Sequence, residues 1–82
     1  LFTFADENLN EIASDSSKGS GEYINSVAAI MQIQGSDKDH FLQVVQSNFS
    51  SIFSSSQINT KDMIANLNTV MKNDEILKSY SI

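Results

Sequence analysis

The chain has 82 residues and a formal net charge of −5, and it contains no cysteine, proline, tryptophan or arginine. This length fits one domain, so we expect a single domain over residues 1–82. The lack of cysteine excludes disulfides and thiolate metal ligands, and His40 is the only histidine. We therefore expect no metal site, no cofactor and no enzymatic activity.

The negative charge lies in the first half of the chain. Residues 1–39 hold seven acids and two lysines, whereas residues 40–82 hold three of each. An acidic chain without a basic stripe repels phosphate groups, so we expect no binding to nucleic acid. The longest apolar run, 27–31, is far shorter than the roughly 20 residues that cross a bilayer, so we expect no membrane insertion.

The first third of the chain predicts a helix, a loop and a second helix. Apolar residues at helical spacing predict a helix over Ala5–Ala13, with Phe2 also on its apolar side. The polar segment 14–21 contains two glycines and predicts a mobile loop. Residues 23–34 carry no charge and are apolar almost all round, which predicts a central helix that Gly35 closes.

The remaining residues predict two further helices and a terminal turn. A broad apolar face predicts a third helix over Lys38–Ser54, and Asn59 or Thr60 is the expected cap of a fourth helix. The apolar stripe changes register near Asn73, which predicts a short final turn that follows it. The expected fold is all-α, a small bundle of four main helices plus a short C-terminal helical turn.

His40 is the only histidine, the residue type most often used as a general acid or base. Asp37 lies three residues earlier on the same helical face, which is close enough for the two side chains to pair. A Ser–His–Asp site is conceivable, but the chain has no Gly-x-Ser-x-Gly elbow. We interpret His40 as a helix-start or surface residue.

The favoured function is a non-enzymatic protein interaction or self-assembly module. Five amphipathic segments offer more apolar surface than one small core readily covers, so another chain, identical or different, is the expected partner. A start at Leu1 instead of Met predicts a secreted protein or a piece of a larger secreted chain. The interface candidates share the third helix and are Phe41, Val45, Asn48, Phe49 and Ile52.

Asn48 lies among apolar residues of the third helix, where an unpaired amide costs about 1–3 kcal/mol. We therefore expect an intramolecular hydrogen bond or a place in an interface. Residues 48–50 also form a glycosylation sequon, which an apolar helical face makes a poor acceptor.

The alternative function is a carrier of a small apolar ligand. Methionine and phenylalanine fill irregular apolar space, so they could line a cavity between helices. Core packing is the competing interpretation of the same residues. The cavity candidates are Met31, Met63, Met71 and Phe53.

Overall fold

The computed structural model describes residues 1–81, and within them the chain is all-α, as predicted. Four of its six α-helices are longer than six residues, and a 3₁₀ turn follows the last one, so the predicted bundle and terminal turn are confirmed. In chain order the elements are α1 Phe2–Glu7, α2 Leu9–Lys18, α3 Glu22–Ile30, α4 Ser36–Ser47, α5 Phe49–Ile52, α6 Thr60–Lys72 and the 3₁₀ turn Leu77–Tyr80.

One apolar core receives side chains from every element. α2 packs against α1, α3 and α4, while α6 packs against α1, α5 and the 3₁₀ turn. The molecule measures 30 × 23 × 22 Å, so each helix reaches the same interior. The buried apolar residues are Ala5, Ile12, Ile24, Val27, Ala28, Ile33, Phe41, Val45, Ile52, Met63, Leu67, Met71 and Leu77.

Three asparagines end helices in the same way. Asn8, Asn48 and Asn73 follow α1, α4 and α6, and each side-chain Nδ2 donates to the carbonyl four residues earlier, at 2.9, 2.9 and 3.0 Å. Carbonyls at a helix end lack intrahelical donors, and the side-chain amide supplies one. The predicted helix over Ala5–Ala13 is therefore divided between α1 and α2, and the one over Lys38–Ser54 between α4 and α5.

The predicted mobile loop at 14–21 is wrong over most of its length. α2 continues to Lys18 and ends where Gly19 adopts a left-handed conformation, with φ of 74°. Ser16 faces the core and is fully buried. Serine has modest helix propensity, and here tertiary packing of α2 outweighs that preference.

Asp15 caps the helix that follows its own. Its Oδ2 accepts hydrogen bonds from the backbone N–H groups of Tyr23, at 2.8 Å, and Ile24, at 3.2 Å. Gly21 permits this approach, because a Cβ at that position would lie 2.2 Å from the Asp15 Cγ. The segment between α2 and α3 is thus held by the first turn of α3.

The prediction that Gly35 closes the helix over 23–34 is also wrong. α3 ends at Ile30, and the residue with positive φ that follows it is Gln32, with φ of 63°. Gly35 also has a positive φ, of 61°, but it precedes α4 and does not end α3. The conformation of Gln32 lets the backbone N–H of Ile33 bond to the Ala28 carbonyl at 3.0 Å and places the Ile33 side chain in the core. Burial of that side chain offsets the strain of a left-handed glutamine.

α3 is not the central helix that its composition predicts. It packs against α2 and α4, and its last turn leaves Ala29 and Ile30 exposed. An apolar sequence therefore does not imply burial on all sides here. The helix with the longest buried stripe is α6, whose buried residues are Thr60, Met63, Leu67 and Met71.

Candidate functional site

The predicted interface residues divide between core and surface. Phe41, Val45 and Ile52 are buried, with exposures of 0%, 2% and 1%. α2 covers α4, and α6 covers α5, so these three side chains contact their own chain. Asn48 and Phe49 are half-buried and reach the surface. Helical spacing finds the apolar face but does not tell which chain covers it.

Asn48 has the intramolecular hydrogen bond expected for it. Its Nδ2 donates one of its two N–H groups to the Val44 carbonyl at 2.9 Å. Phe49 stacks on Phe53 with a centroid distance of 5.1 Å. Phe53 packs against the core, and Phe49 reaches the core through this stacked ring.

The four predicted cavity residues do not form one cavity. Met63 and Phe53 line an internal space of about 10 Å³, while Met71 is buried elsewhere in the core and Met31 is half-buried. A space of this size holds about one water molecule. Carriage of an apolar ligand stays a prediction, and it requires the core to expand.

His40 pairs with Asp74 and not with Asp37. Its Nε2 lies 2.9 and 2.8 Å from the two carboxylate oxygens of Asp74, which belongs to the segment between α6 and the 3₁₀ turn. Burial raises the pKa of Asp74, but the bond from His40 and the backbone N–H groups of Leu77 and Ile76 together lower it below 3.8. The ionised carboxylate accepts these bonds, so Nε2 carries the donated proton.

Asp37 instead accepts a 2.7 Å hydrogen bond from the phenol of Tyr80. The bond to a carboxylate raises the pKa of Tyr80, since it favours the neutral phenol over the phenolate. Together with the His40–Asp74 pair, this bond anchors the 3₁₀ turn on the N-terminal half of α4. The long-range partners cannot be read from sequence spacing.

An apolar groove lies between α1 and α6. Phe2 is 53% exposed at its edge, although helical spacing assigns it to the buried side of its helix. The groove has a volume of about 320 Å³. We call it the Phe2 groove, and its lining residues are Leu1, Phe2, Lys61 and Ile64.

A second groove, of mixed polarity, lies between α6 and the α4–α5 pair. Its volume is about 370 Å³, and two of the helix-ending asparagines line it. The break between α4 and α5 lies at this groove, because Asn48 separates the two helices and lines it. We call it the amide groove, and its lining residues are Val44, Asn48, Ser51, Thr69, Val70, Asn73 and Asp74.

The described chain has neither a membrane-spanning helix nor a cluster of metal ligands. Within residues 1–81, no helix combines the length and hydropathy needed to cross a bilayer. Over the same range, His, Asp and Glu side chains form no group of three that could hold a metal ion.

Comparison with known proteins gave one match. The sequence profile of a family described as "Protein of unknown function (DUF3015)" matches residues 2–81, which include all six α-helices and the 3₁₀ turn. No curated protein and no solved structure matches the chain.

Proposed function

For this chain, which belongs to the DUF3015 family of proteins of unknown function, we propose a role as a non-enzymatic self-association module that pairs through the Phe2 groove. The observation that carries the proposal is the exposure of Phe2 beside an apolar groove. A phenylalanine gains about 1.5–3 kcal/mol on full burial, so a surface that exposes one favours association.

The Phe2 groove is suited to a copy of itself. Phe2 protrudes at the edge, and Leu1 and Ile64 supply apolar walls, so a twofold arrangement would place each Phe2 against the groove of the other copy. Lys61 lines the groove and Glu7 is exposed on α1, which allows pairing of opposite charges across the twofold axis.

The walls of the groove are held in place before association. The hydroxyl of Thr60, a buried residue at the start of α6, donates a 2.7 Å hydrogen bond to Asp6 of α1. This bond fixes the two helices that form the groove relative to each other. A preformed site pays less ordering entropy on binding, which supports the proposal.

Sedimentation equilibrium at high micromolar concentration tests the proposal. We expect the wild-type chain to form a dimer and Phe2→Ser to raise the dissociation constant at least about tenfold, from the loss of one buried aromatic ring. Ile30→Ser is the matched control, because Ile30 is 43% exposed outside the groove, and it should leave the dimer intact. A wild-type chain that is strictly monomeric at this concentration contradicts the proposal.

Native mass spectrometry separates association from the carrier alternative. Dimers without bound mass support self-association, and monomers that carry lipid-sized adducts support carriage.

Secretion also stays a prediction. Peptide mass spectrometry of culture medium tests it by detecting the protein there.

A further inference from the structure

Asn48 is the acceptor position of the only N-glycosylation sequon in the sequence, which spans residues 48–50. Helical periodicity assigns this asparagine to the apolar face of one long helix, where a glycan has no room. The structure places it between two helices instead, after α4 and before the four-residue α5. Its backbone, with φ of −111° and ψ of 21°, has left the α-helical conformation. The continuous helical face on which the expectation of a poor acceptor depends is therefore absent.

The side-chain nitrogen of Asn48 can carry a sugar and still end α4. Nδ2 has two N–H groups, and its hydrogen bond to the Val44 carbonyl, at 2.9 Å, uses one of them. Attachment of a sugar to the amide replaces one N–H group and keeps the other. Glycosylation therefore does not require the loss of the bond that closes the helix.

The amide groove gives a glycan room beside Asn48. Asn48 is half-buried and lines this groove, and the lining also includes exposed residues, so the groove is open to solvent. Its volume of about 370 Å³ falls within the range of roughly 300–1,000 Å³ that is usual for sites of small ligands. The first sugar of a glycan can therefore lie in the groove while the rest extends into solvent.

The walls of the groove match the chemistry of a sugar ring. A pyranose has C–H groups on its faces and hydroxyl groups around its edge. Val44 and Val70 supply half-buried apolar walls, and Ser51 and Thr69 supply exposed hydroxyls. Sugar hydroxyls both donate and accept hydrogen bonds, so they can pair with protein hydroxyls in either direction.

We propose that Asn48 carries an N-linked glycan whose first sugar lies along the amide groove. In the transfer, Nδ2 of Asn48 attacks the anomeric carbon of a polyprenyl-diphosphate-linked oligosaccharide. The new N–C bond forms as the bond from that carbon to the diphosphate oxygen breaks, the polyprenyl diphosphate leaves, and Nδ2 loses one proton. The transferase meets chains as they enter a secretory compartment and before they fold, so half-burial of Asn48 in the folded chain does not prevent the reaction.

Expression of the full chain behind a removable signal peptide in cultured animal cells tests the acceptor directly. We expect the peptide that spans residue 48, recovered from the medium, to carry hexosamine, and peptide-N-glycosidase to convert Asn48 to aspartate. Ser50→Ala removes the sequon hydroxyl at an exposed position of α5 and should abolish the modification, whereas Ser50→Thr should keep it. Ser47→Ala is the matched control, because Ser47 is exposed just before the sequon, and this variant should be modified like the wild type.

NMR of the glycosylated protein locates the first sugar. We expect nuclear Overhauser contacts between its protons and the methyl groups of Val44 and Val70. A glycan that shows no contact with either valine contradicts its placement in the groove. Phe2→Ser should be glycosylated like the wild type, because the Phe2 groove is not involved, and this separates the inference from self-association.

Three results overturn the assignment of Asn48. The first is an unmodified Asn48 in the chain secreted by the cultured cells. The second is a modification that persists in Ser50→Ala, which would place the sugar on another residue. The third is recovery of the same peptide from the natural protein in its unmodified form alone.

Discussion

His40 and Asp74 lie 34 positions apart in the chain, and the histidine Nε2 contacts both carboxylate oxygens, at 2.9 and 2.8 Å. The Asp74 Oδ1 also accepts hydrogen bonds from the backbone N–H groups of Ile76 and Leu77, each at 3.0 Å. One carboxylate therefore both starts the terminal turn and attaches it to α4.

Asp74→Asn should lower the free energy of unfolding by about 1 kcal/mol at neutral pH. The amide keeps an oxygen for the backbone bonds but loses the charge that strengthens the contact with His40, and partial exposure of the pair limits the loss. Urea unfolding measures the change. Glu75→Gln is the control, because its carboxylate is 92% exposed and pairs only with Lys78, so stability should change by less than about 0.5 kcal/mol.

The effect of Asp74→Asn should depend on pH. Because the pKa of Asp74 is lower in the folded chain than its ordinary value of 3.8, the carboxylate stabilises the fold above that value. The contribution is lost as the pH falls through the folded-state pKa. Urea unfolding in acid should therefore show the two proteins converging, and a constant difference at all pH values contradicts the assignment.

Tyr80→Phe should destabilise the chain near neutral pH, because it removes the 2.7 Å bond to Asp37. The folded-state pKa of Tyr80 is raised above 10.0, so its contribution is present below pH 10 and is lost as the pH rises through the folded value. Ultraviolet absorbance of the phenolate during alkaline titration should show one tyrosine that ionises late. Tyr23→Phe should keep that late transition, and its disappearance in this variant instead of in Tyr80→Phe contradicts the assignment.

Gln32→Gly should stabilise the chain by about 0.5–1 kcal/mol. A left-handed conformation costs a non-glycine residue about 1–2 kcal/mol, and glycine removes this cost. The greater conformational freedom of glycine in the unfolded chain cancels part of the stabilisation. Thermal unfolding by circular dichroism measures the shift. Gln34→Gly, at an exposed position without positive φ, should not stabilise, and equal effects at both positions contradict the argument.

Ser16→Ala should stabilise the chain by about 1 kcal/mol more than Ser14→Ala. The Ser16 Oγ is buried beside the apolar internal space and has no hydrogen-bond partner within residues 1–81, which costs about 1–3 kcal/mol. Ser14 is exposed on the same helix, so its variant measures the gain in helix propensity alone. Destabilisation by Ser16→Ala would show that the hydroxyl has a bound water as its partner.

Local patterns in the sequence predict the all-α class and the start and end of α6. The cap expected at Asn59 is present, because its side chain accepts a 2.8 Å bond from the backbone N–H of Asp62. The change of register near Asn73 also marks the end of α6. Both features depend on neighbours within four positions, which spacing and residue type reveal.

Features that depend on distant partners could not be predicted in the same way. Asp15 caps α3, which begins after two glycines. Asp37 bonds to Tyr80, 43 positions away, and not to its neighbour His40. The predicted interface includes both Val45, which is buried, and Phe49, which reaches the surface, for a related reason. Periodicity describes one helix at a time, whereas burial is decided by the helix that packs against it.

The tight fit of α4 and α5, which meet at Asn48, limits where residues can be added to this chain. A straight helix from Ser36 to Ile52 would be about 25 Å long, more than the molecule's two shorter dimensions of 23 and 22 Å. A single-residue insertion within α4 would rotate every later position by about 100° and expel Ile52 from the interior. The exposed stretch 54–57 lies between α5 and α6, outside any helix, so residues can be added there without disturbing either of these helices.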